Sequence, residues 1–326
     1  MTNRHFFIWA ALKAASILAF PILPAVAQEA NYPSRLIKIV VPFPAGSFTD
    51  VAARAFAEKA SPILGQPIII DNRPGVNGVL GAKAVMSAPP DGYTILINSN
   101  SQAANWSLFK VPPYDPVKDF TPVARLVGIP FVLMVRPGLP VNNVNELLAL
   151  ARKEPGKLTF GGGNTSSRAA AELLKMSANV DLRHIPYRGI PQATTDLLGG
   201  TIDLLITDTS FLLGQGPGGK LRGIAVTTPE RLAQLPNVPT FAESGVPNFE
   251  LIGWLAAFAP PGTPPEVIRK LNNAFVRAAN DPSVKVLLEK LGTYSAPSSP
   301  EDLGKFVTVE TAKWARIQDV AGIEKQ

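Results

Sequence analysis

Residues 36–64 read LIKIVVPFPAGSFTDVAARAFAEKASPIL, and the fold class turns on this stretch. Leu36–Phe43 is an apolar, β-branched run of the kind found in strands buried on both faces. Pro44–Asp50 follows as a short Gly/Ser loop. Val51–Leu64 then places Ala53, Phe56, Ala57 and Ala60 on one side at helical spacing. A strand that feeds a short loop and then a helix leaves backbone N–H groups without intrahelical partners. The helix dipole adds partial positive charge at the same place, which suits an anion. The loop lacks both GxxxxGKS/T and GxGxxG, so it is no nucleotide-type phosphate cradle. An ordinary βα turn with a Ser, Thr or Asp cap satisfies the same pattern.

The motif is repeated along the chain. Pro67–Ile70 and Tyr93–Ile97 read as further strands, the second ending in the polar run Asn98–Gln102, which contains Ser99 and Gln102. Alternating strands and helices predict an α/β fold with a mostly parallel sheet, whose ligands sit at the carboxyl ends of the strands. Both polar runs, Ala45–Asp50 and Asn98–Gln102, fall at such ends. Val123–Val135 reads as a crossover strand. Beyond it the opening pattern returns: strand Lys157–Phe160, loop Gly161–Ser167, helix Arg168–Ala178. A weaker copy runs from strand Leu182–Tyr187 through Arg188-Gly189-Ile190 to a helix with Pro191 at its first position. Ile202–Thr207 and Leu221–Thr227 are two more strands, with Asp208 at the end of the first. Phe249–Phe258 reads as the return crossover. Thr263-Pro264-Pro265-Glu266 has the form of a capping box, and Asp281-Pro282 and Ser299-Pro300 start two further helices. The organisation expected is two lobes joined by two crossings, with a hinge and a cleft between them. The first lobe is residues 31–126 and 258–326, the second 127–257.

The N-terminal 27 residues have the layout of a secretory signal peptide. Arg4 and Lys13 lie in or beside the first part, Ala14–Leu23 is apolar, and Ala25-Val26-Ala27 offers a cleavage site after Ala27. No later segment has the roughly 18 uncharged apolar residues of a membrane span. The mature chain is therefore expected to be exported and soluble. It keeps 29 basic and 25 acidic residues, a balance too mild and too evenly spread to indicate nucleic acid. With no cysteine, disulfides, thiol catalysis and Cys-ligated metals are excluded. The chain's 32 prolines are about twice the usual share near 5 % and fall mainly at element ends.

Chemistry points to binding. The mature chain has one histidine, His184, inside an apolar strand, which reads as a structural residue and cannot by itself make a His-based metal site. A Ser166–His184–Asp208 triad is available in composition, yet no GxSxG elbow places a serine on a nucleophile turn. No metal, cofactor or catalytic residue is expected. Backbone N–H groups and hydroxyls at opposing loop–helix starts, with Ser47 and Thr49 on one side and Thr165 and Ser166 on the other, suit a small anion. Each hydrogen bond to a charged group is worth about 1.5–3 kcal/mol net. Three or four such bonds reach the roughly 8 kcal/mol of micromolar binding before ordering costs. Asp50 and Asp208 suit loop N–H groups or helix caps, and either can take a ligand amino or hydroxyl group.

The sequence resembles the Bug-type substrate-binding proteins of tripartite tricarboxylate transporters, from about Tyr32 to Ile323. The resemblance rests on Phe43–Asp50, Asp71-Asn72-Arg73-Pro74-Gly75, Asp91-Gly92-Tyr93-Thr94 and Pro113-Tyr114-Asp115-Pro116. It continues in Pro186-Tyr187-Arg188-Gly189, Asp196–Gly200, Pro236–Thr240 and Ala259–Pro264. Each is weak alone; their order and spacing are specific. The resemblance implies a two-lobed type II periplasmic-binding fold that holds one small carboxylate, whether a di- or tricarboxylate, an aromatic carboxylate or an amino acid. It implies carboxylate contacts from the first loop, here Phe43, Ala45, Gly46, Ser47, Thr49 and Asp50. The second lobe would contribute through Gly162–Ser166, including Asn164, Thr165 and Ser166, and through Tyr187 and Gly189. The implied partners are the membrane permease subunits of a tripartite transporter, or a membrane sensor kinase. Ser47 and Phe48 stand where the family more usually has a second glycine and a small residue, which makes a narrower or more apolar pocket. The Gly161–Ser167 loop is about one residue short, Arg168 stands where many relatives have histidine, and Thr207–Ser210 departs from the common Phe-Asp start.

Overall fold

The opening stretch forms β1 (Ile37–Val41) and α1 (Phe48–Leu64). They belong to a computed structural model that describes residues 32–163, 165–214, 219–247, 249, 251–320 and 322–326, with Thr165 and Val320 described by backbone alone. The expected signal peptide lies outside the described residues. α1 begins at Phe48, earlier than the apolar periodicity predicts, because Ser47 caps it: the Ser47 hydroxyl accepts from the Asp50 N–H at 3.3 Å. Ser47 and Asp50 have the capping-box spacing. Here the acid reaches one residue beyond the cap, where the Gly46 N–H donates to Asp50 Oδ2 at 2.8 Å. Gly46 is at φ +79°, a left-handed turn that glycine adopts without strain.

β2 (Ile68–Asn72), a single turn at Val76–Gly78, α2 (Val79–Met86), β3 (Thr94–Ser99) and α3 (Ser101–Leu108) complete the first run. α3 carries no apolar stripe. It is buried through small and polar residues, among them Ala103, Ala104, Gln102 and Asn105, under the C-terminal helix. β4 (Thr121–Val135) then leads to α4 (Val144–Lys153), β5 (Thr159–Gly162), α5 (Thr165–Ala178), β6 (Arg183–Pro186) and α6 (Ile190–Gly199). β7 (Leu204–Asp208), α7 (Ser210–Leu213), β8 (Arg222–Val226) and β9 (Ile252–Ala259) follow. The chain closes with α8 (Pro265–Ala279), α9 (Pro282–Lys290), β10 (Tyr294–Ser295) and α10 (Pro300–Val320). The capping-box expectation at α8 is corrected: Thr263 donates its hydroxyl to the Pro260 carbonyl at 2.8 Å, and Pro264 stands at the cap without a side-chain bond.

The sheet is mixed, in the order β2-β1-β3-β9-β4-β7-β5-β6, with β8 and β10 also on β4. Its two outer groups, β2-β1-β3 and β7-β5-β6, are parallel, and the joins through β9 and β4 are antiparallel. Thus the βα repeats make the parallel groups, and the two crossover strands make the centre. β4 changes partner midway. Thr121–Pro130 pair with β9, and Phe131–Val135 pair with β7. Pro130 sits at the change, where its missing N–H costs no ladder bond.

Alternation along β4 divides the core. Phe131, Leu133 and Val135 join a large cluster that includes Phe160, Trp254, Phe258 and Trp314. Val132 and Met134 face a second cluster with Ile190, Leu197 and Leu205 beneath α6. The large cluster extends under both parallel groups, and α10 fastens it. The buried Trp254 indole donates to Glu310 Oε2 at 3.0 Å, and Phe306 meets the Trp254 ring edge-on at 5.5 Å between centroids.

α2 holds the end of β1 by close approach: a Cβ on Gly81 would lie 2.7 Å from Pro42 Cβ and 3.1 Å from the Arg73 carbonyl oxygen. Intrinsic helix propensity favours alanine over glycine by about 1 kcal/mol. Gly81→Ala is nevertheless expected to lower the urea midpoint, because Pro42 and the Arg73 backbone must move. A raised midpoint would mean that α2 is free to shift.

Candidate functional site

Three loop–helix junctions meet where β4 changes partner. At the first, the N–H groups of Ala45, Phe48 and Thr49 have no partner among the described residues, whereas those of Gly46, Ser47 and Asp50 are taken within the loop. Asn72 ties the loop to β2, donating to the Phe43 carbonyl at 3.1 Å and to Asp50 Oδ1 at 3.0 Å. At the second junction Asn98 organises the turn into α3. Its side-chain oxygen accepts from the Ser99 N–H at 2.8 Å and the Ser101 hydroxyl at 3.0 Å, and its amide donates to Gln102 Oε1 at 2.9 Å. The Gln102 Nε2 is buried without a partner. Ser99 bonds Ser101 through both hydroxyl and backbone.

The third junction, β5 to α5, lies on the start of α6. A Cβ on Gly163 would come within 2.6 Å of the Gly189 and Ile190 backbone, so this loop needs glycine for close contact. Ser167 accepts from the Gly163 N–H at 3.1 Å. The second and third junctions are bridged: Asn100 Nδ2 donates to the Ser166 hydroxyl at 2.8 Å.

Both bridge residues line a cavity of about 340 Å³, near the lower end of the usual range for small-molecule sites. Phe48, Ile129, Phe131, Phe211 and Leu291 form its apolar wall. Asn100, Ser166, Asp208, Ser210 and Thr293 form its polar wall. The segment 291–293 closes against α7, where Thr209 donates its hydroxyl to the Gly292 carbonyl. A wider trough of about 800 Å³ runs between the end of α1 and the start of β2. It lies at the sheet edge and is lined by Arg54, Glu58, Ser61 and the Pro67–Ile70 segment, apart from the residues of the smaller cavity.

The family model for the tripartite tricarboxylate transporter family receptor matches residues 52–323. The chain belongs to this family. It is 39 % identical over 289 residues to the UPF0065 protein in the tcbD–tcbE intergenic region of Pseudomonas sp. (strain P51), covering 88 % of this chain and 86 % of that one. The solved periplasmic binding protein BugD superposes with a TM-score of 0.75 at 35 % identity, covering 90 % of this chain and all of BugD. Rpa4515 of R. palustris, solved with adipate, superposes with a TM-score of 0.78 at 34 % identity, covering 91 % and 100 %. The fold is that of these periplasmic binding proteins, and the family's members are binding proteins. Among the described residues no helix is long and apolar enough to cross a membrane, and no three His, Cys, Asp or Glu side chains are grouped to hold a metal.

Relative to this family's expected site, the structure places the residues as follows. Ser166 and Asp208 line the cavity. Phe43, Ala45, Gly46, Ser47, Thr49 and Asp50 make up the loop and first helical turn around Phe48, which lines it. Ser99 and Gln102 flank Asn100 at the rim. Thr165 opens α5, and Asn164 lies outside the described residues. Tyr187 and Gly189 stand on the β6–α6 connection. The Tyr187 hydroxyl donates to Asp196 at 2.7 Å, and burial, then this bond and the Asp196 charge, push its pKa up to about 12. Asn100, Ile129, Phe131, Ser210, Phe211, Gly253, Leu291 and Thr293 line the cavity beyond the residues expected from sequence. Asn100 and Ser210 lie inside polar runs that carried a signal; Leu291 and Thr293 reach the site only through tertiary packing. His184 stacks on Phe160 with ring centroids 5.0 Å apart. Burial, then the charges of Arg168 and Lys175, hold its pKa below the ordinary value, so it packs as a neutral ring.

The two site aspartates have opposite electrostatics. Burial raises the Asp50 pKa, but bonds from Arg54, the Gly46 N–H and Asn72 outweigh it and leave the carboxyl below its ordinary value of 3.8. Asp208 accepts only from neutral donors, chiefly the Ser210 and Thr207 hydroxyls, and burial leaves its carboxyl above that value. The consequences for stability have opposite signs. Asp50's contribution is present above pH 3.8 and is lost as pH falls through its depressed folded value. Asp208's penalty grows as pH rises from 3.8 to its raised folded value. Asp50→Ala strands buried donors at about 1–3 kcal/mol each, so a loss of about 3 kcal/mol is expected in urea unfolding at pH 7. Asp208→Asn should raise the midpoint at pH 7, with the gap to wild type closing toward pH 4. A lowered midpoint at pH 7 would refute the assignment of Asp208 as an unrelieved charge.

Proposed function

We propose that this protein captures a small carboxylate between two lobes and delivers it to the membrane permease of a tripartite transporter. The lobes are residues 31–126 with 258–326, and 127–257; β4 and β9 serve as the hinge. The observation that carries the reading is the cavity at the carboxyl ends of the strands, lined by the hydrogen-bonded pair Asn100 and Ser166. The N–H groups of Ala45, Phe48 and Thr49 at the start of α1 supply the anion contacts, helped by the helix dipole. Family membership and the adipate carried by Rpa4515 support the carboxylate class. Residues 1–27 would direct the chain to the periplasm and be cleaved after Ala27.

Thermal unfolding of residues 28–326, after denaturation and refolding to strip any co-purified ligand, tests the reading. The panel contains mono-, di- and tricarboxylates, aromatic carboxylates and amino acids. A ligand at about 100 times its dissociation constant adds about 2.7 kcal/mol to stability, seen as a rise of several degrees. One saturable hit is expected; a flat response across the panel would overturn the carboxylate reading. Asn100→Ala should release the bound ligand about tenfold faster with little change in association, since the bond joins two of the loops that line the cavity. Deleting the gene should abolish uptake of that ligand through the permease.

A further inference from the structure

The charge distribution of the cavity wall narrows the ligand class, given the carboxylate-binding function just proposed. Among the described lining residues Asp208 is the sole charged side chain; no lysine, arginine or histidine offsets it. Among the described residues its carboxylate has no ion-pair partner, in contrast to Asp50, which Arg54 neutralises at 3.0 Å. The Asp208 oxygens accept from the Ser210 hydroxyl, from the Thr207 hydroxyl at a long 3.4 Å, and from the backbone N–H groups of Asp208 and Ser210. None of these donors carries a charge, so the negative charge of Asp208 itself is left uncompensated. The same cavity is lined by the apolar side chains of Phe48, Ile129, Phe131, Phe211 and Leu291.

We infer that Asp208 is the specificity-determining residue, and that the cavity selects a carboxylate with an apolar body and a hydrogen-bond donor, either ammonium or hydroxyl, placed against it. A plain dicarboxylate would bring a second negative charge to an uncompensated carboxylate in a low-dielectric pocket, where like charges are strongly disfavoured. A donor-bearing ligand relieves that same charge, and its apolar body fills the aromatic and aliphatic wall. The raised pKa of Asp208 agrees with a group that awaits such a partner.

The test is isothermal calorimetry on the stripped, refolded protein with two matched series. One is phenylalanine, phenyllactate and 3-phenylpropanoate; the other is leucine, 2-hydroxy-4-methylpentanoate and 4-methylpentanoate; adipate is added to both. At least one donor-bearing member should bind about tenfold or more tighter than its donor-free analogue and than adipate, as expected for a hydrogen bond to a charged group. Asp208→Asn should shrink that ratio by about tenfold and improve adipate binding, and Ser210→Ala should leave the preference in place. The wild-type ratios need no variant to fold. Adipate or the donor-free acids binding as tightly as their donor-bearing partners would overturn the inference while leaving carboxylate binding intact. Unchanged ratios in Asp208→Asn would overturn it too. Silence from every carboxylate would instead remove the underlying function, and this inference with it.

Discussion

A single strand has to serve two sheets, and the site follows from that constraint. β4 pairs with β9 up to Pro130 and with β7 from Phe131 onward. At the change of partner the backbone polar groups still need bonds. They find them outside the ladder: the Thr209 N–H donates to the Pro130 carbonyl at 3.2 Å, and the Phe131 N–H to the Thr227 hydroxyl at 3.0 Å. The side chains on either side of the change, Ile129 and Phe131, become cavity wall, with Gly253 of β9 beside them. The cavity is thus the space left where two parallel groups of strands diverge from a shared antiparallel centre. The loops of both groups end at its rim because parallel strands present their carboxyl ends together.

Two aspartates at this rim show how burial can serve structure or binding. Asp50 spends its acceptor capacity on Gly46, Asn72 and Arg54, so it fixes the first loop and leaves that loop's remaining N–H groups pointing away from it. Among the described residues Asp208 has hydroxyl and backbone N–H donors and no cation, so its charge is poorly compensated. Residues kept in such unfavourable surroundings are the usual stability cost of a functional site. Sequence identity alone treats the two as the same kind of residue. Their neighbours make them different.

Much of the architecture was legible in the chain. The β-branched run at Ile37–Val41, the alanine-rich stripe of α1 and the glycine-bearing loops before α1 and α5 announce βα units by period and by turn chemistry. Asp281 and Ser299 announce their helices as caps: each accepts the backbone N–H of a residue in the first turn, at 2.9 and 3.1 Å. α3 was silent because it is buried with small and polar residues, for which hydrophobic periodicity has no signal. α4 was overlooked although its cap is readable, since Asn143 accepts from the Glu146 N–H at 2.9 Å. Thr263 has the sequence form of a cap and is not one, because its hydroxyl donates to the Pro260 carbonyl.

What the sequence determined by itself was local: which segments are strands or helices, where turns need glycine, and the family to which the order of motifs belongs. Those depend on residues within a few positions of one another. The mixed centre of the sheet, the Asn100–Ser166 bridge and the presence of Leu291 and Thr293 in the cavity were decided only by the tertiary structure. They depend on segments 66 to over 80 residues apart meeting at one point, as the Asn100–Ser166 and Thr209–Gly292 bonds do. The fate of each aspartate belongs to the same level. A carboxylate's energy is set by the donors and charges that surround it in space, and its place in the chain does not reveal them.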